Sequence, residues 1–136
     1  MKEILLLLLL AVAPAFAQTE TFNPIGKWAG IDEGETVFIT FDAEGYVIMQ
    51  KGDEVIGGKS FEMEDVKGSM TYTFDPNGNK YYLDMIITVE GTDESRLLLA
   101  LYKVVNPNEI IIALEGFERP SSFNADNSLT FKRVPQ

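Results

Sequence analysis

Short apolar and β-branched runs follow one another along the chain from Ile25 onward, broken every 8 to 12 residues or so by turn residues, the rhythm of an all-β domain. Thr36 to Phe41 alternates Val37, Ile39 and Phe41 against Thr36, Phe38 and Thr40. Ser69 to Phe74 places Met70, Tyr72 and Phe74 on one face and Ser69, Thr71 and Thr73 on the other. Tyr81 to Val89 sets Tyr81, Leu83, Met85, Ile87 and Val89 against Tyr82, Asp84, Ile86 and Thr88. Successive strand side chains point to opposite faces, so each run predicts a strand with one buried face. Asp42-Ala43-Glu44-Gly45, Gly52-Asp53 and Asp75-Pro76-Asn77-Gly78-Asn79 read as tight turns between them. Further strands are expected over Ile25–Gly30, Tyr46–Gln50, Val55–Met63, Arg96–Val104, Ile110–Leu114 and Leu129–Val134, about nine in all. Gly57-Gly58 inside one of them marks a bulge or bend.

No sustained helical period interrupts this pattern; the best helical candidate, Ser60 to Lys67, is barely two turns long. Parallel neighbours need long crossover connections, usually helices, so consecutive strands are expected to pair antiparallel. Closing such an up-and-down meander into a barrel removes its sticky edges. Leu97–Leu101 and Ile110–Leu114 depart from simple alternation because they are apolar on both faces. Two covers are open for their outer side: the long loop Glu115 to Ser128, with Phe117 and Phe123, folding back over it, or a partner, either a second copy in a homodimer or another protein.

The first residues carry a different signal. An apolar run from Ile4 to Ala13, too short to span a bilayer, precedes Ala15-Phe16-Ala17, a small-x-small site of the kind at which secretory leaders are cut. Residues 1–17 are therefore expected to be a cleaved leader and residues 18–136 a single β-barrel domain, located in a periplasm or secreted. There is no cysteine, hence no disulfide, no thiolate chemistry and no lipid-modified cysteine as membrane anchor. A net charge of −10 without clustered Lys and Arg argues against nucleic acid and anionic lipid as partners.

Gly26-Lys27-Trp28 matches the Gly-x-Trp signature of lipocalins, and Lys132-Arg133 stand where the last strand of that fold lays a cation over the tryptophan. Together with Leu101-Tyr102-Lys103, Glu118-Arg119-Pro120-Ser121-Ser122-Phe123 and Leu129-Thr130-Phe131, the chain resembles an uncharacterised family of bacterial lipocalin-like domains. The resemblance implies a lipocalin-like barrel of 8–9 strands closed through Gly26, Trp28 and Arg133, and it supplies no catalytic residues. The Thr-Asp-Tyr turn of full lipocalins is missing: Glu94 stands in place of the tyrosine after Thr92-Asp93.

Candidate chemistry is sparse. Without histidine or cysteine the usual general base, metal ligand and nucleophile pairs are gone, so no metal or cofactor is expected, and no enzyme unless a carboxylate or tyrosine acts alone. Asp75-x-Asn77-x-Asn79 lacks the spacing of a calcium loop and reads as a turn. Asp84 sits mid-strand, where it either faces solvent or, if inward, needs Arg96 or Arg119 as partner. The expected function is a binding module holding a small hydrophobic ligand, with Phe41, Tyr46, Tyr72, Tyr81 and Met85 as lining and Asp84 and Arg119 as polar contacts. The alternative is an interaction or self-assembly module whose core is filled by side chains.

Overall fold

The structure, a computed structural model, describes residues 22–77 and 80–136. The expected leader and its cut after Ala17, and positions 78 and 79 of the expected hairpin turn, lie outside the described residues. Within them the chain forms nine strands: β1 (Gly26–Asp32), β2 (Glu35–Phe41), β3 (Val47–Lys51), β4 (Glu54–Met63), β5 (Val66–Asn77), β6 (Lys80–Val89), β7 (Ser95–Asn106), β8 (Glu109–Ala113) and β9 (Ser128–Arg133). Each pairs with its sequence neighbour, and β1 pairs with β9, giving a closed antiparallel up-and-down barrel.

The period-two pattern decides which side faces in. Val37, Ile39 and Phe41 on β2, Met70 on β5, and Leu83, Met85 and Ile87 on β6 are all buried. Cross-strand register carries the inner face around the ring: Trp28 lies opposite Ile39, Met70 opposite Ile87, Met85 opposite Leu98 and Ile112 opposite Leu129. Among the described residues there is no helix. Ser60 to Lys67, the best helical candidate in the sequence, is the β4–β5 hairpin, with Met63 paired to Val66 and Glu64 and Asp65 turning at φ 49° and 67°. Two turns of isolated helix gain too few hydrogen bonds to offset nucleation, so the sheet wins.

Parity fixes one further feature. In a ring of nine straight strands the directions cannot alternate all the way round, yet every neighbouring pair here is antiparallel. The contradiction is resolved at β4, which turns a corner. Its first part pairs with β3 from Lys51↔Glu54 to Ile48↔Gly57, and its second part pairs with β5 after a register shift between Gly58 and Phe61. The approach to β3 then meets β5 directly through the antiparallel bridge Tyr46↔Thr71 and the Tyr72 N–H to Gly45 carbonyl bond of 3.0 Å. Gly57 and Gly58 take φ of 102° and 88° to make the bend, and a Cβ on Gly57 would run into the Val47 carbonyl oxygen and the Met70 methyl.

Gly57→Ala therefore meets both backbone strain and a backbone clash. It is expected to cost about 2–4 kcal/mol in urea unfolding, well above an ordinary surface substitution.

Candidate functional site

The two ends of the barrel are built differently. At the end where β1 begins, aromatic rings fill the interior: Phe41 packs edge-on to Tyr72 and Phe74 with centroids 4.8 and 5.0 Å apart, and Phe74 meets Tyr102 at 4.7 Å. Phe22 and Tyr81 add to this group against Tyr102. The Tyr72 hydroxyl donates to the Asp42 carbonyl at 2.7 Å. Burial, with the Asp42 carboxylate as a lesser cause, raises the Tyr72 pKa above 10.0. Burial does the same for Tyr102, aided by Tyr81 and Asp75.

Below this cluster Trp28 closes the barrel. The Arg133 guanidinium carbon lies 4.3 Å from the indole ring centroid, and the Trp28 Nε1–H donates to the Pro24 carbonyl at 2.9 Å. Arg133 also donates to the carbonyls of Ile25 and Asn23 at 2.7 Å each, to Pro107 at 3.0 Å and to Asn108 Oδ1 at 3.1 Å. Gly26 has φ 133°, and a Cβ there would sit 3.0 Å from the Arg133 Nη1, which is a physical reason for glycine at the head of Gly-x-Trp. Lys132, one residue away, is exposed.

At the opposite end the interior opens into a cavity of about 390 Å³. Its apolar wall is Val37, Met49, Ile56, Leu114 and Leu129, and Asp32, Lys51, Glu54 and Asp126 stand around it. Register explains the wall, since Met49 lies opposite both Ile39 and Ile56, and Leu129 opposite Ile112. Lys51 Nζ pairs with Asp32 Oδ2 at 3.0 Å. That bond and the negative charge of Asp32 raise the Lys51 pKa above 10.5, outweighing an opposing desolvation effect, with Glu35 and Glu33 as lesser contributors. A smaller cavity of about 220 Å³ lies between the β4–β5 and β6–β7 strands and includes Arg96.

The expected lining residues are thus placed elsewhere. Phe41 and Met85 are fully buried in the packed interior, Tyr72 belongs to the aromatic cluster, Tyr46 is half-buried at the entry to β3, and Tyr81 is 46% exposed. None of them borders the 390 Å³ cavity. Phe41, Tyr72 and Phe74 interlock edge to face, while Tyr81 and Tyr102 border a separate cavity of about 320 Å³ with Leu101 and Phe123.

Asp84 and Arg119 do come together, on the outer face. Asp84 lies in register with Leu99, opposite in facing to Leu83 and Met85. The Arg119 Nη2 meets its Oδ1 at 2.6 Å, the Nη1 donates to the Ala100 carbonyl at 2.8 Å, and the guanidinium lies 3.7 Å from the Tyr82 ring centroid. Arg96, in register with Ile87, faces the other way. The clasp draws the β8–β9 loop back over the barrel wall, where Leu101 and Ala113 are buried although they face outward. Arg119 and the buried Pro120 lie on this stretch, while Phe117 and Phe123, the expected covering side chains, are 61% and 38% exposed. Further along the loop, Asn127 Nδ2 donates to Glu115 Oε2 at 2.7 Å and to the Ser122 carbonyl at 2.9 Å, so one side chain ties the segment that borders the cavity at Ala125–Ser128 to the earlier part of the loop.

No family model matches the chain, and neither a curated protein nor a solved structure matches it significantly.

The cavity wall was the part that sequence reasoning missed. Val37 stood in the alternating pattern, but Ile56 and Met49 sit beside the corner, and Leu114 enters from a loop, so their meeting had no signal at short range.

Arg119→Ala leaves Asp84 without its partner and frees the loop. It is expected to lower stability by about 2–3 kcal/mol and to speed amide exchange across residues 114–127, measured by hydrogen–deuterium exchange. The raised tyrosine pKa values favour the neutral phenol in the folded state. Their stabilisation is fully present below about pH 10 and is lost as pH rises through that value toward the shifted ones, so the melting temperature should fall there, less steeply in Tyr72→Phe.

Proposed function

We propose that the protein is an exported, lipocalin-like binding module that holds a small apolar molecule in the open end of its barrel. The observation carrying this reading is the 390 Å³ cavity, walled by Val37, Met49, Ile56, Leu114 and Leu129 and bordered by polar groups. Its size falls within the range of about 300–1,000 Å³ typical of small-molecule sites. The stack of Arg133 on Trp28 beneath a packed aromatic plug supports the lipocalin-like assignment. The Ile4–Ala17 pattern supports export to a periplasm or the medium. With neither histidine nor cysteine in the sequence, binding is favoured over catalysis.

A second reading, an interaction module using the outer face of β7, draws on Leu97, which is 48% exposed. Light scattering separates the two: a monomer over a wide concentration range removes the self-association version.

The binding reading is tested with N-phenylnaphthylamine, an uncharged fluorophore that brightens in apolar surroundings. Saturable binding at one site per chain is expected. Ile56→Trp, which fills the cavity, should abolish it, and Ile31→Ser, at a 68% exposed position on β1, should leave it unchanged. Absence of saturable binding, or its survival in Ile56→Trp, would sink the proposal.

A further inference from the structure

The border of the cavity gives its ligand a chemical sign. Asp32, Glu54 and Asp126 stand at the apolar chamber with Lys51 as the cation among its lining residues. Lys51 is already engaged, 3.0 Å from Asp32. With its charge already matched by the Asp32 carboxylate, it has little attraction left for an incoming anion. Glu54 and Asp126 are both exposed and form no ion pair among the described residues. A fatty carboxylate entering tail first would bring its head group against these carboxylates. A protonated amine would meet them as hydrogen-bond acceptors and counter-charges.

Resting on the binding function proposed above, we infer that the cavity selects amphiphiles with an apolar tail and a cationic, amine-type head. The tail occupies the chamber between Val37, Met49, Ile56, Leu114 and Leu129, and the head stays at the water boundary between Glu54 and Asp126. This division suits both groups, because the apolar chain leaves water while the ammonium keeps part of its hydration and the carboxylates are spared desolvation. Glu54 comes from the start of β4 and Asp126 from the β8–β9 loop, so the head group would sit between two parts of the chain that are not paired with each other.

Displacement of N-phenylnaphthylamine by decylamine, decanol and decanoate tests this, since the three share a tail and differ in head charge. Decylamine is expected to displace the fluorophore at roughly tenfold lower concentration than decanoate, with decanol between, as two exposed charge contacts acting in opposite senses on the two heads would give. The gap should narrow to about twofold in the double variant Glu54→Gln/Asp126→Asn, and also on raising salt from about 0.1 M to about 1 M. Both substitutions fall at exposed positions and leave the core intact. Decanoate binding as tightly as decylamine overturns the inference, as does a preference that survives the double variant, which would assign it to the overall charge of −10. If decanol binds without any ranking by charge, the selectivity fails and the binding function stands. If none of the three displaces the fluorophore, both fail.

Discussion

Closure of the sheet on itself is the constraint on which everything else rests, and it is achieved over a short seam. The β1–β9 register holds two pairs, Trp28↔Arg133 and Ala29↔Lys132, whereas β5 and β6 share ten from Gly68↔Val89 to Asn77↔Lys80. So brief a ladder contributes few backbone bonds. Arg133 supplies the remainder with one side chain: it stacks on Trp28 and donates to the incoming strand through Ile25 and Asn23 and to the β7–β8 turn through Pro107 and Asn108. A lysine offers a point charge without the planar fork and could not serve that many acceptors in fixed directions.

From the sealed end the character of the interior changes along the axis. Large rings pack against one another near Trp28, while aliphatic side chains near the far rim line the 390 Å³ cavity. The corner at Gly57–Gly58 belongs to the same division, for it brings Ile56 beside Met49 and allows β5 to meet the approach to β3. The loop after β8, held by Arg119 on the outside, then adds Leu114 and Ala125–Asn127 to the wall, and β9 adds Leu129.

Much of this architecture was legible before any coordinates. Alternation at Val37-Ile39-Phe41 and at Leu83-Met85-Ile87 assigns strand and facing together, because a period of two has one geometric meaning. Gly57-Gly58 could be read as a break from residue type and order, whereas the contact of Trp28 with Arg133 was implied only by the resemblance to lipocalins. Which end stays open was not legible, because it depends on how far each strand is staggered against the next. For the same reason Phe41, Tyr72 and Met85, expected as a lining, form part of the packed filling. Arg119 was one of two partners open to Asp84, and only for an inward carboxylate; the pair forms on the outer face instead, because a loop brings together two residues 35 positions apart along a path that no local pattern encodes. Ser60 to Lys67 shows the converse, a segment whose weak helical leaning is overridden by neighbouring strands.

The clasp of Arg133 on Ile25 and Asn23 joins residues 108 and 110 positions apart, the longest reach of any side-chain contact described above. Contacts of that span carry the largest chain-entropy cost and give little return until the intervening hairpins have formed, so ring closure belongs at the end of folding. Any opening of that seam leaves β1 and β9 bare, and each bare strand is a template for pairing with another molecule. Keeping the seam shut therefore guards the chain against edge-to-edge aggregation as well as against unfolding.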